Sequence, residues 1–461
     1  MRRDVANLKY VFEPKSIAVI GASDNPEKLG NVILKNLVDG GYEGGIYPVN
    51  PKHAELLGKK CYGSVENIPG KVDLAIFAIP APLVAKMAEE CGRKGVKAIV
   101  VLSAGFGEAG NTELEEKLKR VVLKYGIALI GPNCLGVMNP ESRVDSIFFP
   151  FYKFGRPGVG GISIITQSGA VGSCIADLAA YYGVGFAKFV SYGNGATIGE
   201  TELLEYLGAD RKTKQIMLYL EGTKDGRKLL SALKKVNPKK PVIVLKAGKG
   251  IVGGAAALSH TGNLAGNYTA YQAAFRQAKA IEVDSVVELF YVANMFSQPM
   301  PKGNRVGVIT DGGGLGVLTV DAIEREGMDI AKLSDVSRQK LRGTLPQKIA
   351  IANPLDVIAD SGVEIYEKAI EAMLEDKNID SIVVVVLFQA PAVDSRIVDV
   401  LVRASDRRIK PILVIGDGGG YTRQNRKTLD GYGIPTYGSP ETAIRALKKF
   451  TDYSLFLKNK E

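Results

Sequence analysis

The sequence predicts an α/β protein built from three doubly wound units. Two observations carry this reading. Short β-branched runs alternate along the chain with amphipathic helical patterns, as parallel sheets with crossover helices require, and the leading strand of each unit runs into a glycine-containing turn. A chain of 461 residues also exceeds one ordinary core. The boundaries fall near 145 and 300, giving units 1–145, 146–300 and 301–461.

In the first unit the strands are "SIAVIG" (16–21), "GIYPVN" (45–50), "LAIFAI" (74–79), "AIVVLS" (98–103) and "IALIGP" (127–132). The first runs into "GASDNPEKLGNVILKNLVDGG", a glycine turn and then a helix from about Gly30, whose N-terminal N–H groups and dipole suit a phosphate. The second unit starts after "FGRPGVG" with "GISIITQSG" (161–169), "GFAKFVSYG" (185–193), "QIMLYLEG" (215–222) and "PVIVLKAG" (241–248). The third follows "SQPMPKGN" with "RVGVITDGGG" (305–314), "SIVVVVL" (381–387) and "PILVIGDGGG" (411–420). The units share an architecture without a short exact repeat, which separates them from a solenoid.

Composition narrows the function. Apolar residues at 46% and charged residues at 23% describe an ordinary globular chain and exclude a disordered or fibrous one. The first apolar run, 16–22, is too short for a signal core or a membrane span, so a cytoplasmic location without membrane insertion is expected. Cys61, Cys91, Cys134 and Cys174 lack CxxC spacing and sit in or beside apolar or glycine-containing segments; buried thiols are expected, with no resident metal. The net charge of +10 comes from lysines dispersed over helical faces such as "LEEKLKRVVLKYG". That pattern does not call for nucleic acid, and a positive field equally attracts phosphorylated ligands or an acidic partner.

The turn "VIGASDNPEKLG" lacks GxGxxG, and "YPVNPKH" puts Asn50 and Pro51 where a ribose-binding carboxylate would end the second strand. A phosphate-bearing ligand fits this turn better than a nicotinamide dinucleotide does.

The stretch "GGAAALSHTGNLAG" (253–266) holds His260, one of only two histidines. Alone, it reads as an ordinary loop histidine. Small residues on both sides leave the imidazole open to approach, and a neutral ring nitrogen can attack a phosphoryl donor. Such a ring needs an anion site nearby and an acceptor for its other nitrogen. The turn "TQSGAVG" offers Ser168, Gly169 and Ala170 at a helix start, and "IMLYLEG" ends its strand in Glu221. A glutamate there is usually a solvated strand end; one that accepts the imidazole N–H would fix the tautomer and stabilise a charged phosphohistidine.

The ordered set "VIGAS", "YPVNPK", "GPNCLGV", "ITQSGAVG", "SYGN", "LEG" and "SHTG" closely resembles the α subunits of archaeal ADP-forming acetyl-CoA synthetases, within the succinyl-CoA synthetase superfamily. The resemblance covers nearly the whole chain. It implies a Rossmann-like coenzyme A-binding domain followed by two flavodoxin-like ligase domains, the first carrying a phosphorylated histidine matched by His260. Glu221 matches the supporting glutamate, and Ser168 to Ala170 match the anion-binding helix start. The family's coenzyme A contacts fall on Gly21, Ala22, Ser23, Lys28, Gly30, Asn50, Pro51, Lys52, Ile79, Pro80, Ser103, Ala104, Gly105, Asn133 and Cys134.

The implied reaction converts acyl-CoA, ADP and phosphate to carboxylic acid, ATP and coenzyme A through an acyl phosphate and phospho-His260. No ATP-grasp pattern follows the third unit, so the resemblance implies a separate ATP-grasp β subunit that binds ADP or ATP with Mg2+, in an α2β2 heterotetramer. One departure stands out. Relatives commonly show "TNAGGPG" at the first turn of the third unit, whereas this chain has "TDGGGLG". Asp311 would oppose a phosphate, leaving Gly312 to Gly314 either a second phosphate-holding helix start or a tight structural turn. The rival readings are a coenzyme A-responsive binding protein without turnover and a succinate–CoA ligase-type α subunit, whose chain lacks a third domain. The preferred acyl group depends on scattered side chains and is not legible.

Overall fold

The computed structural model describes residues 3–250, 252–253 and 267–459. They divide into two compact units, residues 1–284 and 285–461. Among the described residues no helix is long and apolar enough to cross a membrane.

The first unit holds two major sheets. In chain order the first contains β1 (Ser16–Ile20) and β2 (Gly45–Val49), then a short ladder of β3 (Glu55–Leu56) and β4 (Lys59–Lys60) set apart from it, and finally β5 (Leu74–Phe77), β6 (Ala98–Val101) and β7 (Ala128–Ile130). Its strands are all parallel, in the order β2-β1-β5-β6-β7. The second sheet contains β8 (Gly136–Asn139), β9 (Val144–Asp145), β10 (Val159–Thr166), β11 (Phe186–Ser191), β12 (Gln215–Leu220), β13 (Val242–Lys246) and β14 (Ile281–Val283), in the order β14-β13-β12-β10-β11-β8-β9. From β14 to β11 it is parallel, and β8 and β9 extend it antiparallel.

The second unit carries β15 (Arg305–Thr310), β16 (Asp329–Ile330), β17 (Leu355–Asp356), β18 (Ser381–Val385), β19 (Ile412–Ile415) and β20 (Thr436–Tyr437). Its order is β16-β15-β18-β19-β20, with β16 pairing the start of β15 and β17 pairing its end. In all three sheets the first parallel strand is central and the second flanks it on one side, while the later strands follow on the other, except for β17, which shares the β16 side of β15. This is the doubly wound order with its switch point beside the first strand, where ligands bind in the crevice outside the carboxyl ends.

Alternation along the strands explains how the sheets are buried. Ile17 and Val19 of β1 face an apolar cluster that continues through Ile165, Val190, Ile216 and Val244 of the second sheet, while Ala18 and Ile20 face a separate cluster with Phe77, Ile99 and Val101. Both faces are therefore covered, which is why these strands read as continuous apolar runs. The third sheet has its own core around Ile309, Val384, Val414 and Tyr366.

Close main-chain approach shapes the first turn. Gly21 has φ +86°, and a Cβ on it would lie 2.5 Å from the Ala78 carbonyl oxygen; a Cβ on Gly30 would lie 2.0 Å from the Gly21 carbonyl oxygen. The turn after β1 and the helix Leu29–Asp39 thus pack backbone to backbone.

A polar seam joins the carboxyl edge of the first sheet to the loop after β11. Asn194 Nδ2 donates to Glu108 Oε2 at 2.6 Å and to Glu115 Oε2 at 2.8 Å, and its Oδ1 accepts from Asn133 Nδ2 at 3.3 Å. Glu108 Oε1 in turn accepts the N–H of Gly105 at 2.6 Å and of Phe106 at 3.2 Å. Lys224 Nζ donates to the carbonyls of Asn194 and Gly195 at 3.0 and 2.9 Å. Burial opposes the Glu108 charge, yet the hydrogen bonds from Asn194, Gly105 and Phe106 hold its carboxyl below the usual carboxylate range.

Two outcomes follow for stability. Gly30→Ala should destabilise the first unit by about 1–3 kcal/mol in urea unfolding, because the new methyl group meets a carbonyl oxygen. Asn194→Ala should cost about 1–3 kcal/mol at neutral pH, since two carboxylates lose a donor. Because the folded-state value of Glu108 is depressed, its contribution is present at neutral pH and is lost as the pH falls through that value. The gap between wild type and Asn194→Ala should therefore shrink on acidification; a gap that widens would contradict this account.

Candidate functional site

The carboxyl ends of the first sheet collect the residues expected to contact coenzyme A. Gly21, Ala22 and Ser23 follow β1; Asn50, Pro51 and Lys52 follow β2; Ile79 and Pro80 lie just beyond β5; Ser103, Ala104 and Gly105 lie just beyond β6; Asn133 and Cys134 lie just beyond β7. Lys28 occupies the cap position of the helix Leu29–Asp39, and Gly30 lies in its first turn.

Local hydrogen bonds fix this edge. Asn50 Nδ2 donates to the Ala22 carbonyl at 2.8 Å while its Oδ1 accepts the Lys52 N–H at 2.9 Å, tying the ends of β1 and β2 together. Asn31 Nδ2 donates to the Ser23 carbonyl at 2.9 Å. Ser103 Oγ donates to the Ile79 carbonyl, and Asn133 N–H donates to the Ser103 carbonyl at 2.9 Å. Lys28 and Lys52 are both exposed, Lys28 at the cap of the helix Leu29–Asp39 and Lys52 just beyond β2. Cations and a helix N-terminus are what a phosphate-bearing ligand such as coenzyme A needs. Cys134 is different. Its Sγ donates to the Val101 carbonyl at 3.3 Å, and burial pushes its thiol up to about 12, so a ligand contact at this position would be made by the main chain.

The second sheet gathers the phosphotransfer candidates at its own carboxyl edge. Ser168 caps the helix Gly169–Tyr182, its side-chain oxygen accepting the Val171 N–H at 3.3 Å, and the helix ends at Gly183 with φ +72°. A Cβ on Gly169 would lie 3.4 Å from Leu135 Cβ, directly after the end of the first sheet. Glu221 follows β12, the neighbour of β10, and is buried. Gln167 connects them: its Oε1 accepts the N–H of Glu221 at 2.8 Å and of Gly222 at 3.0 Å, one residue before the Ser168 cap. Tyr219 hydroxyl donates to Glu221 Oε1 at 3.3 Å. The structure thus brings Ser168 to Ala170 and Glu221 to one edge. His260 and its loop lie outside the described residues.

Reading the sequence missed three members of this edge. Gln167 stands in "TQSG" beside the serine and glycine that mark the helix start, and an amide beside such a turn carries no local signal of its own. Lys246, in "VIVLKAG", is a charged residue at the end of a buried strand, and that incongruity was its signal. Asn194, in "SYGNG", serves as the seam between sheets, a long-range role that its glycine neighbours do not signal. The cysteine expectation needs one correction: Cys61, Cys91 and Cys134 are buried, but Cys174 is exposed, because it lies on a solvent-facing position of the helix Gly169–Tyr182.

In the second compact unit, Asp311 turns away from the helix start that follows it. Both its oxygens accept the Leu387 N–H, at 3.0 and 3.2 Å, and burial raises its pKa above the usual carboxylate value. The carboxylate therefore knits the end of β15 to the end of β18, while Gly313 opens the helix Gly313–Arg325.

Three family models match the chain: a CoA binding domain over residues 15–140, a succinyl-CoA ligase-like flavodoxin domain over 159–296 and a Ligase-CoA domain over 306–438. The α subunit of acetate–CoA ligase (ADP-forming) II of Pyrococcus furiosus is 41% identical over 95% of this chain and 96% of its own. The acetate–CoA ligase (ADP-forming) of Methanocaldococcus jannaschii is 42% identical over 97% of this chain, which spans only 63% of that longer relative. The structure of acetyl-coenzyme A synthetase 1 (dinucleotide forming) of Ca. Korarchaeum cryptofilum, solved with phosphate and ADP, superposes with a TM-score of 0.92 at 34% identity over 98% of both chains. With 41% identity to a named α subunit over nearly the whole of both chains, and with the same fold as a solved relative, the chain belongs to the α subunits of the ADP-forming acetate–CoA ligase family.

Proposed function

We propose that this chain passes a phosphoryl group from an acyl phosphate to ADP through His260, with the ADP held by a separate ATP-grasp β subunit. The observation that carries the proposal is the buried Glu221, locked through Gln167 to the helix start at Ser168. An acceptor and a set of N–H donors at one strand edge are the two things a phosphohistidine requires.

In this reading phosphate attacks the acyl-CoA thioester, forming acyl phosphate and releasing coenzyme A. His260 then attacks the phosphorus, the acid departs, and phospho-His260 carries the group onward. Glu221 accepts the N–H of the other ring nitrogen and offsets the charge of the phosphorylated ring, while the Ser168 to Ala170 N–H groups hold the phosphoryl oxygens. Coenzyme A binds along Gly21 to Gly30, Asn50 to Lys52, Ile79 and Pro80, Ser103 to Gly105, and Asn133 and Cys134. The seam through Asn194 keeps that edge fixed against the second sheet.

The functional division is 1–145 for coenzyme A, 146–300 for the phosphohistidine and 301–461 for the second ligase domain, supported by the spans of the three matching families. A partner is supported by the α-subunit names of relatives of this length and by the greater length of the M. jannaschii relative. We assign the partner the Mg2+-bound nucleotide and the assembly an α2β2 stoichiometry. The cysteines are all free, which fits a reducing cytoplasm.

Radiolabelled phosphate tests the relay. With acetyl-CoA and labelled phosphate, His260→Ala should incorporate none, and His53→Ala should keep the label, since His53 stands 3.7 Å from Asp24 at the coenzyme A edge. Glu221→Gln should lower the phosphoenzyme by about one to two decades, the equivalent of roughly 1.5–3 kcal/mol for one charge-assisted hydrogen bond. Full labelling of His260→Ala would remove His260 from the mechanism.

The purified chain alone should bind coenzyme A in calorimetry and make no ATP from acetyl-CoA, ADP and phosphate, with synthesis appearing on adding the β subunit. ATP formation by the single chain would overturn the two-subunit assignment.

A further inference from the structure

Beneath Glu221 lies a lysine that the relay as described does not use. Lys246 ends β13, paired in register with Leu220, the residue before Glu221. It is 1% exposed. Its Nζ donates to the Glu221 carbonyl at 2.8 Å and to the Ala247 carbonyl, and it stands over the Tyr271 ring at 4.6 Å from the centroid. Tyr271 hydroxyl in turn accepts the Thr223 N–H at 3.0 Å, two residues past Glu221. The main chain on both sides of Glu221 is therefore anchored to this pair.

A buried ammonium is costly unless its charge is used. Holding two carbonyls needs only a neutral donor, so the charge calls for a further explanation. The ionisable groups around it are Glu221 and Tyr219 on the β12 side, Tyr271 on the helix Tyr268–Ala278, Glu282 on β14 and Lys249 on its own loop. Lys249 is engaged by Asp284 at 2.6 Å and Glu282 at 3.3 Å, which leaves Glu221 as the carboxylate whose main chain Lys246 grips.

We propose that Lys246 is a positioning residue of the phosphoryl relay, fixing the main chain of Glu221 and setting a cation behind its carboxylate. This rests on the reading of Glu221 as the acceptor for His260. Burial brings the Lys246 ammonium down to about 8, so the device is charged at neutral pH and loses its charge above that value.

The test is a double-mutant cycle on phosphoenzyme level, with the full chain, its β subunit, acetyl-CoA and labelled phosphate. Lys246→Met should lower the label by about ten- to a hundredfold, as Glu221→Gln does, and the double variant should be no lower than the worse single variant by more than about threefold. Lys246→Arg, which keeps its charge, should restore most of the label and hold it from about pH 7 to about pH 10, whereas the wild-type label should decline above about pH 8. Circular dichroism and coenzyme A affinity unchanged from wild type would show that each variant is folded. Wild-type labelling in Lys246→Met, or additive losses in the double variant, would overturn the proposal even with Glu221→Gln impaired. An unimpaired Glu221→Gln would remove the underlying reading, and this proposal with it.

Discussion

One amide oxygen sets the geometry of the second sheet's working edge. Gln167 Oε1 takes the N–H groups of both Glu221 and Gly222, which have left the β12 ladder and would otherwise be buried without a partner from the sheet. Because Gln167 is the last residue before the Ser168 cap, the end of β12 and the start of the helix Gly169–Tyr182 cannot move independently. A buried carboxylate and a helix start are thereby held in fixed relation, and fixed relation of polar groups is the preorganisation that group transfer would demand.

The doubly wound arrangement was legible because parallel strands buried on both faces leave uninterrupted apolar runs, as in "SIAVI" and "SIVVV". The antiparallel pair β8 and β9 left no such trace. Four residues, "GVMN", and two, "VD", are too short to show periodicity, and their strand character comes from pairing, β8 with β11 and β9 with β8. The same limit hid β16, β17 and β20, two-residue strands that exist only through their neighbours.

Within the site, residues that act through turns and caps were readable, since glycine and serine mark such places locally. Those that act through long-range hydrogen bonds were not: Asn194 meets Glu108 across 86 positions of sequence, and Asn133 across 61. Asp311 shows the same limit from the other side. Its charge opposes a phosphate on paper, whereas in three dimensions the carboxylate accepts the Leu387 N–H just beyond the end of β18.

The placement of Cys134 bears on chemical self-protection. An α subunit of this family handles an activated thioester, and any ionised thiol of its own within reach would exchange with it and become acylated. Here the sulfur beside the coenzyme A residues points into the core, donates its proton to the Val101 carbonyl, and sits where burial suppresses the thiolate. At this strand edge the Cys134 nucleophile is thus withheld, leaving its main chain as the group the position can offer a ligand.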